Sequence, residues 1–382
     1  MAHLGLTHPG LGFRLELRPP DWRNQMLDER LTRHLQLIKE LVFTPGVSGW
    51  EDPVRAKIRD MVSKHGPTRV DSLGNLSLTI GQGDKHALFV AHMDEIGLVV
   101  RHIEDDGYLR IRAIGGLDER VLVGRVVDIY PEGASQPVPG VIGLKPPHLM
   151  KDREREMSQV VKIDDILVDV GTRSRRETED LGIAKLAPMV LRKHFCQLAN
   201  DMIATRGLDD RLGCAALVEA LSLIRPADLK CRLTFAWSVQ EELGLRGAYA
   251  LGNQLRPDFA IAIDSCTTGD SPQVEFHLSA VRPGDGPVLR MYDRVAFASR
   301  VMMKQISAAA AEENIPLQVA ITGGATDGGA LQTLGAAMMA LAVPVRYVHS
   351  PTEVMSLRDY DHLVNLVALI ASRIGGWSNT YD

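Results

Sequence analysis

The run Leu233-Thr234-Phe235-Ala236-Trp237-Ser238-Val239 leads directly into Gln240-Glu241-Glu242-Leu243-Gly244. It alternates apolar and polar residues from Leu233 onward, the period of a strand packed on at least one face. Two adjacent carboxylates therefore stand at a strand's carboxyl end, where they repel each other unless a cation or a proton offsets the charge. Metal hydrolases need such a pair: one member binds an ion, and its neighbour takes a proton from water that the ion acidifies. Adjacent glutamates are most often solvated helix surface, so the pair needs support from the rest of the chain.

At 382 residues the chain is long enough for two domains. Its 43 Lys and Arg against 48 Asp and Glu make it mildly acidic, which argues against a general affinity for nucleic acid or anionic membrane. No apolar run approaches the roughly 20 residues that span a bilayer. Residues 1–23 mix His, Arg, Pro and Gly without a secretory apolar core and read as an N-terminal arm. Cys196, Cys214, Cys231 and Cys266 lie far apart, as in a reduced, cytoplasmic protein.

Leu31, Leu35, Ile38 and Val42 fall at helical spacing, and Pro45-Gly46 ends that helix. Ser48-Gly49-Trp50-Glu51 has the pattern of a capping box before a second helix. Strands are predicted at Leu76–Ile80 and at Ala87–Ala91, the latter ending at His92-Met93-Asp94. Residues 101–199 change character. Short β-like pieces such as Val121-Leu122-Val123 and Val126–Tyr130 alternate with Gly and Pro turns, and a solvated charged run covers residues 151–156. This stretch reads as an inserted, mostly β domain without candidate catalytic residues. Beyond Asp209 the chain returns to helix and strand alternation. Helices are expected over 211–223, 295–314 and 357–374, and strands over 232–239, 259–263 and 317–321. The fold class is α/β, a largely parallel sheet flanked by helices, formed by residues 24–100 and 200–382 around the insert.

Ligands of open α/β sheets bind beyond the carboxyl ends of the strands. His92, the Glu241-Glu242 pair and Asp264 each follow an apolar strand, and His349 follows Val345-Arg346-Tyr347-Val348 in the same way. Asp209-Asp210 precedes a helix. Imidazoles and carboxylates together suit zinc, cobalt or manganese rather than calcium. Two imidazoles with several carboxylates are more than one ion needs, so two ions sharing a carboxylate form the natural arrangement. Singly, each residue has an ordinary reading: Asp209 as a helix cap, Asp264 in a turn, a histidine hydrogen-bonded in the core. Together, five coincidences at one sheet edge are improbable. His102, His148, His194 and His277 lack this placement and are assigned structural roles.

The motifs Ala91-His92-Met93-Asp94-Glu95-Ile96-Gly97, Gly207-Leu208-Asp209-Asp210-Arg211 and Gln240-Glu241-Glu242-Leu243-Gly244-Leu245-Arg246-Gly247-Ala248 resemble those of the tetrahedral (TET) dinuclear metallo-aminopeptidases. This glutamyl-aminopeptidase-like group was formerly labelled endoglucanase. Ala262-Ile263-Asp264-Ser265, the Gly323–Gly329 turn with Thr326-Asp327, Arg346–Pro351 and the insert's Gly140–His148 extend the resemblance, in order, from about Leu31 to the C-terminus. The chain departs from the group in Ala325, where glycine is common, and in its long arm. The resemblance implies that His92 and Asp264 hold one ion, Glu242 and His349 the other, and Asp209 bridges them. It makes Glu241 the general base, Asp94 the group that orients His92, and Asp210 a support for Asp209.

The implied reaction is hydrolysis of N-terminal residues from peptides by a water bridging two divalent metals, zinc or cobalt first and manganese also suitable. The implied assembly is a homo-oligomer, commonly dimers joined into a tetrahedral dodecamer, with the insert serving dimerisation. The rival readings are a related dinuclear amidohydrolase (carboxypeptidase or deacylase) and a scaffold that keeps the assembly without the chemistry. Peptide partners with a free N-terminus separate the first reading from its rivals.

Overall fold

Four parallel strands, Arg232–Ser238, His86–His92, Phe259–Thr267 and Ala337–Arg346, lie side by side at the centre of the computed structural model, which describes residues 29–379. The arm expected over residues 1–23 lies outside them. Every residue of His86–His92 is buried, as are all but the ends of Phe259–Thr267 and Ala337–Arg346. A strand covered on both faces needs a continuous apolar run, and Ala87-Leu88-Phe89-Val90-Ala91 supplies one. Antiparallel strands extend the sheet to 11. Leu76–Ile80 and Thr68–Val70 lie on one side; Glu353–Ser356, Met202–Thr205 and Phe195–Gln197 lie on the other. The strands Val288–Tyr292 and Gln318–Ile321 branch off beside Ala337–Arg346.

The Leu208–Leu223 helix is buried around nearly its whole circumference, packed on the sheet and against the helices Glu29–Val42 and Leu357–Arg373. Arg246–Leu255 and Asp327–Thr333 form another helix pair on the sheet. No helix among the described residues is long and apolar enough to cross a membrane.

A second unit interrupts this one. The strands Gly97–Ile103, Leu109–Ile114, Leu167–Asp169, Val138–Ile142, Val126–Ile129 and Pro188–Leu191 close into an antiparallel barrel. Leu98, Val100, Ile111, Val127, Ile142 and Val168 fill it with a core separate from that of the sheet. The chain enters and leaves the barrel at one place, where buried Glu95 accepts from Lys193 (2.7 Å) and Arg206 (2.5 Å), with Arg211 at 3.4 Å.

Several local expectations are corrected. Ser48 does not cap the helix Asp52–Val62, whose N-terminus has no side-chain cap. Its hydroxyl donates instead to Asp94 at 2.6 Å, because a fully buried carboxylate requires donors. Glu51 accepts from the amides of Gly49 and Gln240. Val121-Leu122-Val123 is not a strand. Asp118 accepts from the Arg120 amide and starts the 3-10 turn Glu119–Val121. The helix expected from Val295 begins at Arg300, where Ser299 accepts from the Met302 amide.

Candidate metal centre

His92, the last residue of its strand, projects over the carboxyl edge of the parallel sheet. Its Nε2 lies 3.1 Å from Asp209 Oδ1 and 4.0 Å from Glu241 Oε2. Nδ1 faces the carbonyl of Asp94 at 3.1 Å and the Asp94 carboxylate at 3.5 Å. Asp94 is completely buried and accepts four donors in all: the Ser48 hydroxyl, the amides of Glu241 (3.0 Å) and Glu242 (3.1 Å), and His92 when protonated at Nδ1. Burial alone would raise its pKa, but these bonds keep it below the ordinary value. One carboxylate thus fixes the turn that presents both glutamates.

Asp209 stands at the start of the Leu208–Leu223 helix, where it and Asp210 depart from helical backbone angles and are joined by a cis peptide bond. Its second oxygen lies 3.4 Å from His349 Nε2, so the single carboxylate faces both imidazoles. Against the cost of burial, bonds to His349 and His92 hold its pKa far below the usual range. Asp210 accepts from the amides of His92 and Gly213.

Asp264 lies within the strand Phe259–Thr267 rather than at its end as expected, because Ser265–Thr267 continue to pair with Val343–Val345. Burial and repulsion from Asp209 raise its pKa to about 7, with Arg290 opposing at 3.0 Å. His349 lies three residues past Arg346, where its strand ends. The chain turns there through left-handed Tyr347 and His349. His349 Nε2 sits 3.1 Å from Glu242 Oε1, and burial is outweighed by its bonds to Asp209 and Glu242, which raise its pKa to about 11. Burial first, then repulsion from Asp264, Asp327 and Glu242, raises Glu241 well above the carboxylate range against the pull of His92.

These side chains form two overlapping groups. His92, Asp209 and Asp264 can each offer a ligand atom within 4.8 Å of the others, and so can Asp209, Glu242 and His349. Nitrogen and carboxylate donors crowded to the point of raising carboxyl pKa values fit divalent transition-metal cations. The cavity over them has a volume of about 680 Å³ and is walled by Tyr249, Thr267, Arg294, Val295 and the Gly323–Ala325 turn. His102, His148, His194 and His277 belong to neither group.

Three supporting residues escaped the sequence reading. Arg290, buried in the strand Val288–Tyr292, donates to Asp264 and to the carbonyls of Ser265 and Ala325. A lone charge in an apolar strand was a usable signal, since a buried guanidinium demands partners. Glu353 accepts from the amides of Leu208 (2.7 Å) and His349 (3.0 Å), tying two ligand-bearing segments together. Gly116, a barrel residue, accepts from His349 Nδ1 at 3.1 Å. Neither of these two carries a sequence signal.

The profile of the M42 glutamyl aminopeptidase family matches residues 74–366. The chain belongs to that family. It is 32% identical to the lysyl aminopeptidase of Pyrococcus furiosus, over 89% of this chain and 97% of the other. Among solved structures, the TET1 peptidase of Pyrococcus horikoshii is 38% identical with a TM-score of 0.82, over 88% of this chain and 99% of that one. That peptidase can assemble into a tetrahedron or a large octahedral shell. An aminopeptidase of Desulfurococcus kamchatkensis superposes with a TM-score of 0.85 at 31% identity, over 90% and 96% of the two chains. Membership makes this M42 protein a metal-dependent aminopeptidase and leaves the carboxypeptidase and deacylase reading without support.

Proposed function

We propose that this M42 aminopeptidase holds two divalent cations, zinc or cobalt with manganese a further candidate, and removes single residues from peptides with a free N-terminus. The carrying observation is Asp209, whose two oxygens face the two imidazoles and which belongs to both ligand groups. His92 and Asp264 would hold one cation, Glu242 and His349 the other, and Asp209 both. When bound, such ions act as Lewis acids toward the scissile carbonyl and acidify water.

The chain's own residues supply the proton transfers. Glu241, 10% exposed at the cavity floor, takes the proton of the attacking water and returns it to the leaving amine. Asp94 orients His92 and fixes the Glu241-Glu242 backbone, leaving both side chains free to face the cavity. In this reading the sheet unit, expected over residues 24–100 and 200–382, is the catalytic domain, and the barrel, whose strands run from Gly97 to Leu191 against the expected 101–199, is the insert through which subunits dimerise. The assembly is a tetrahedral dodecamer, as the likeness to the P. horikoshii peptidase supports, and the four unpaired cysteines suit a reduced, cytoplasmic setting. The test is metal analysis with hydrolysis of aminoacyl chromogenic substrates. About two ions per chain are expected, with activity lost on prolonged chelation and restored by zinc, cobalt or manganese. Active protein without metal, indifferent to chelators, would refute the proposal.

A further inference from the structure

The two ligand groups are supported differently. His92 has its Nδ1 held by Asp94, two residues away on the same sheet domain. His349 has no such partner from the sheet. Its Nδ1 donates to the carbonyl of Gly116, 233 residues earlier, in the loop that follows the barrel strand Leu109–Ile114. A ring whose Nδ1–H is held by a carbonyl presents Nε2 as the ligand atom, and here Nε2 faces Asp209 and Glu242.

The loop fits closely around these ligands. A Cβ on Gly116 would lie 3.2 Å from His349 Nδ1 and 3.5 Å from its Cε1. Gly115 has a φ of +76°, and a Cβ there would lie 2.5 Å from Ile96 and 3.3 Å from the Glu242 Cβ. Neighbouring glycines thus let the barrel backbone press against both ligands unique to one group, Glu242 and His349. No barrel residue is a member of either group, and Gly116 lines the cavity over both.

We infer that Gly116 is a positioning residue, and that the barrel completes the cation site of Asp209, Glu242 and His349 while the site of His92, Asp209 and Asp264 is complete without it. The inference rests on the two-cation reading. It follows that movement of the barrel, by mutation or by subunit contacts, changes occupancy of one site selectively.

Gly116→Ala tests this, because the position has no left-handed backbone angle and only the imidazole must give way. A second variant carries Nδ1-methylhistidine at position 349, which removes the donor and leaves the main chain untouched. Gly376→Ala is the control, since a Cβ there meets nothing within 4 Å. The readout is the number of cobalt ions bound per chain and the dissociation constant of each, by calorimetric titration of the chelated full-length protein. Both test variants should bind one ion as the parent does and the other 10–100-fold more weakly, the usual effect of losing an outer hydrogen bond to a ligand. Gly376→Ala should match the parent. If both ions bind the test variants as tightly as the parent, or if both weaken equally, the inference is wrong. A parent that binds one ion overturns the two-cation reading and the inference with it.

Discussion

Replacing Glu241 by glutamine separates its proposed role from that of its neighbour. The backbone at both positions is held by Asp94 through amide bonds of 3.0 and 3.1 Å, independent of the side chains, so the turn should survive either substitution. Glu241 is outside both ligand groups, whereas Glu242 lies in one of them, 3.1 Å from His349. Glu241→Gln should therefore keep both cations and lose the proton acceptor. A positioned general base contributes about 10²–10⁴ in rate, or about 2.7–5.5 kcal/mol of barrier. The loss should fall on kcat, with KM little changed, and added metal should not restore it. Glu242→Gln should lose one cation and recover activity partly at high metal concentration. The assay pairs steady-state hydrolysis with metal analysis across a concentration series. Should Glu241→Gln prove metal-deficient and rescuable while Glu242→Gln stays metal-replete and inactive, the two roles would have to be exchanged.

Two other buried groups give predictions away from the cavity. His34 is 4% exposed, with its ring nitrogens 2.6 Å from Glu219 and 2.7 Å from Asp361. These carboxylates outweigh the cost of burial and raise its pKa to about 9. A folded-state pKa above the unfolded value means the folded state binds the extra proton. The stabilisation, at most about 3 kcal/mol, is therefore full below about pH 6.5 and lost as the pH rises through about 9. Thermal midpoints of the parent and of His34→Gln should converge across that window, and a constant difference would refute the ion-pair account. Glu95 is fully buried, and its carboxyl is held at about 2, because Lys193, Arg206 and Arg211 outweigh the burial penalty. Glu95→Gln strands those cations in the interior and should destabilise the fold by about 3–5 kcal/mol in denaturant unfolding. A loss below 1 kcal/mol would mean that the junction relaxes or is solvated.

The parts of the fold legible in the sequence are those that follow from period and strand ends. Leu76–Ile80 and Arg232–Ser238 show alternation, and Ala87–Ala91 shows the continuous apolar run of a strand covered on both faces. Because a parallel sheet gathers its carboxyl ends at one edge, residues after such runs could be brought to a common place without any knowledge of distances. That rule needed only direction, so it reached His92, Glu241 and Glu242. It worked less cleanly for Asp264, which is inside its strand, and for His349, which is itself one of two left-handed residues beyond its strand's end. Ser48 shows a different limit. Its spacing to Glu51 satisfies a local pattern, yet the buried carboxylate of Asp94 captures the hydroxyl, and a buried anion outranks a helix end that water can satisfy.

The supporting residues stayed hidden because their partners are fixed by tertiary contact alone. Glu353 bonds to the segment that carries Asp209, 144 residues away in sequence, and Gly116 bonds to His349 across the boundary of two domains. A carbonyl contributes to such a site whatever side chain it bears, so no residue type could announce it. What the sequence does contain is the glycine pair that allows the backbone to come so near, and its meaning depends on knowing which side chain lies opposite. A site assembled from strand ends can thus be read from one chain's periodicity. Its alignment depends on Asp94, Glu353 and Gly116, whose contribution is to hold amides and ring nitrogens rather than to touch substrate.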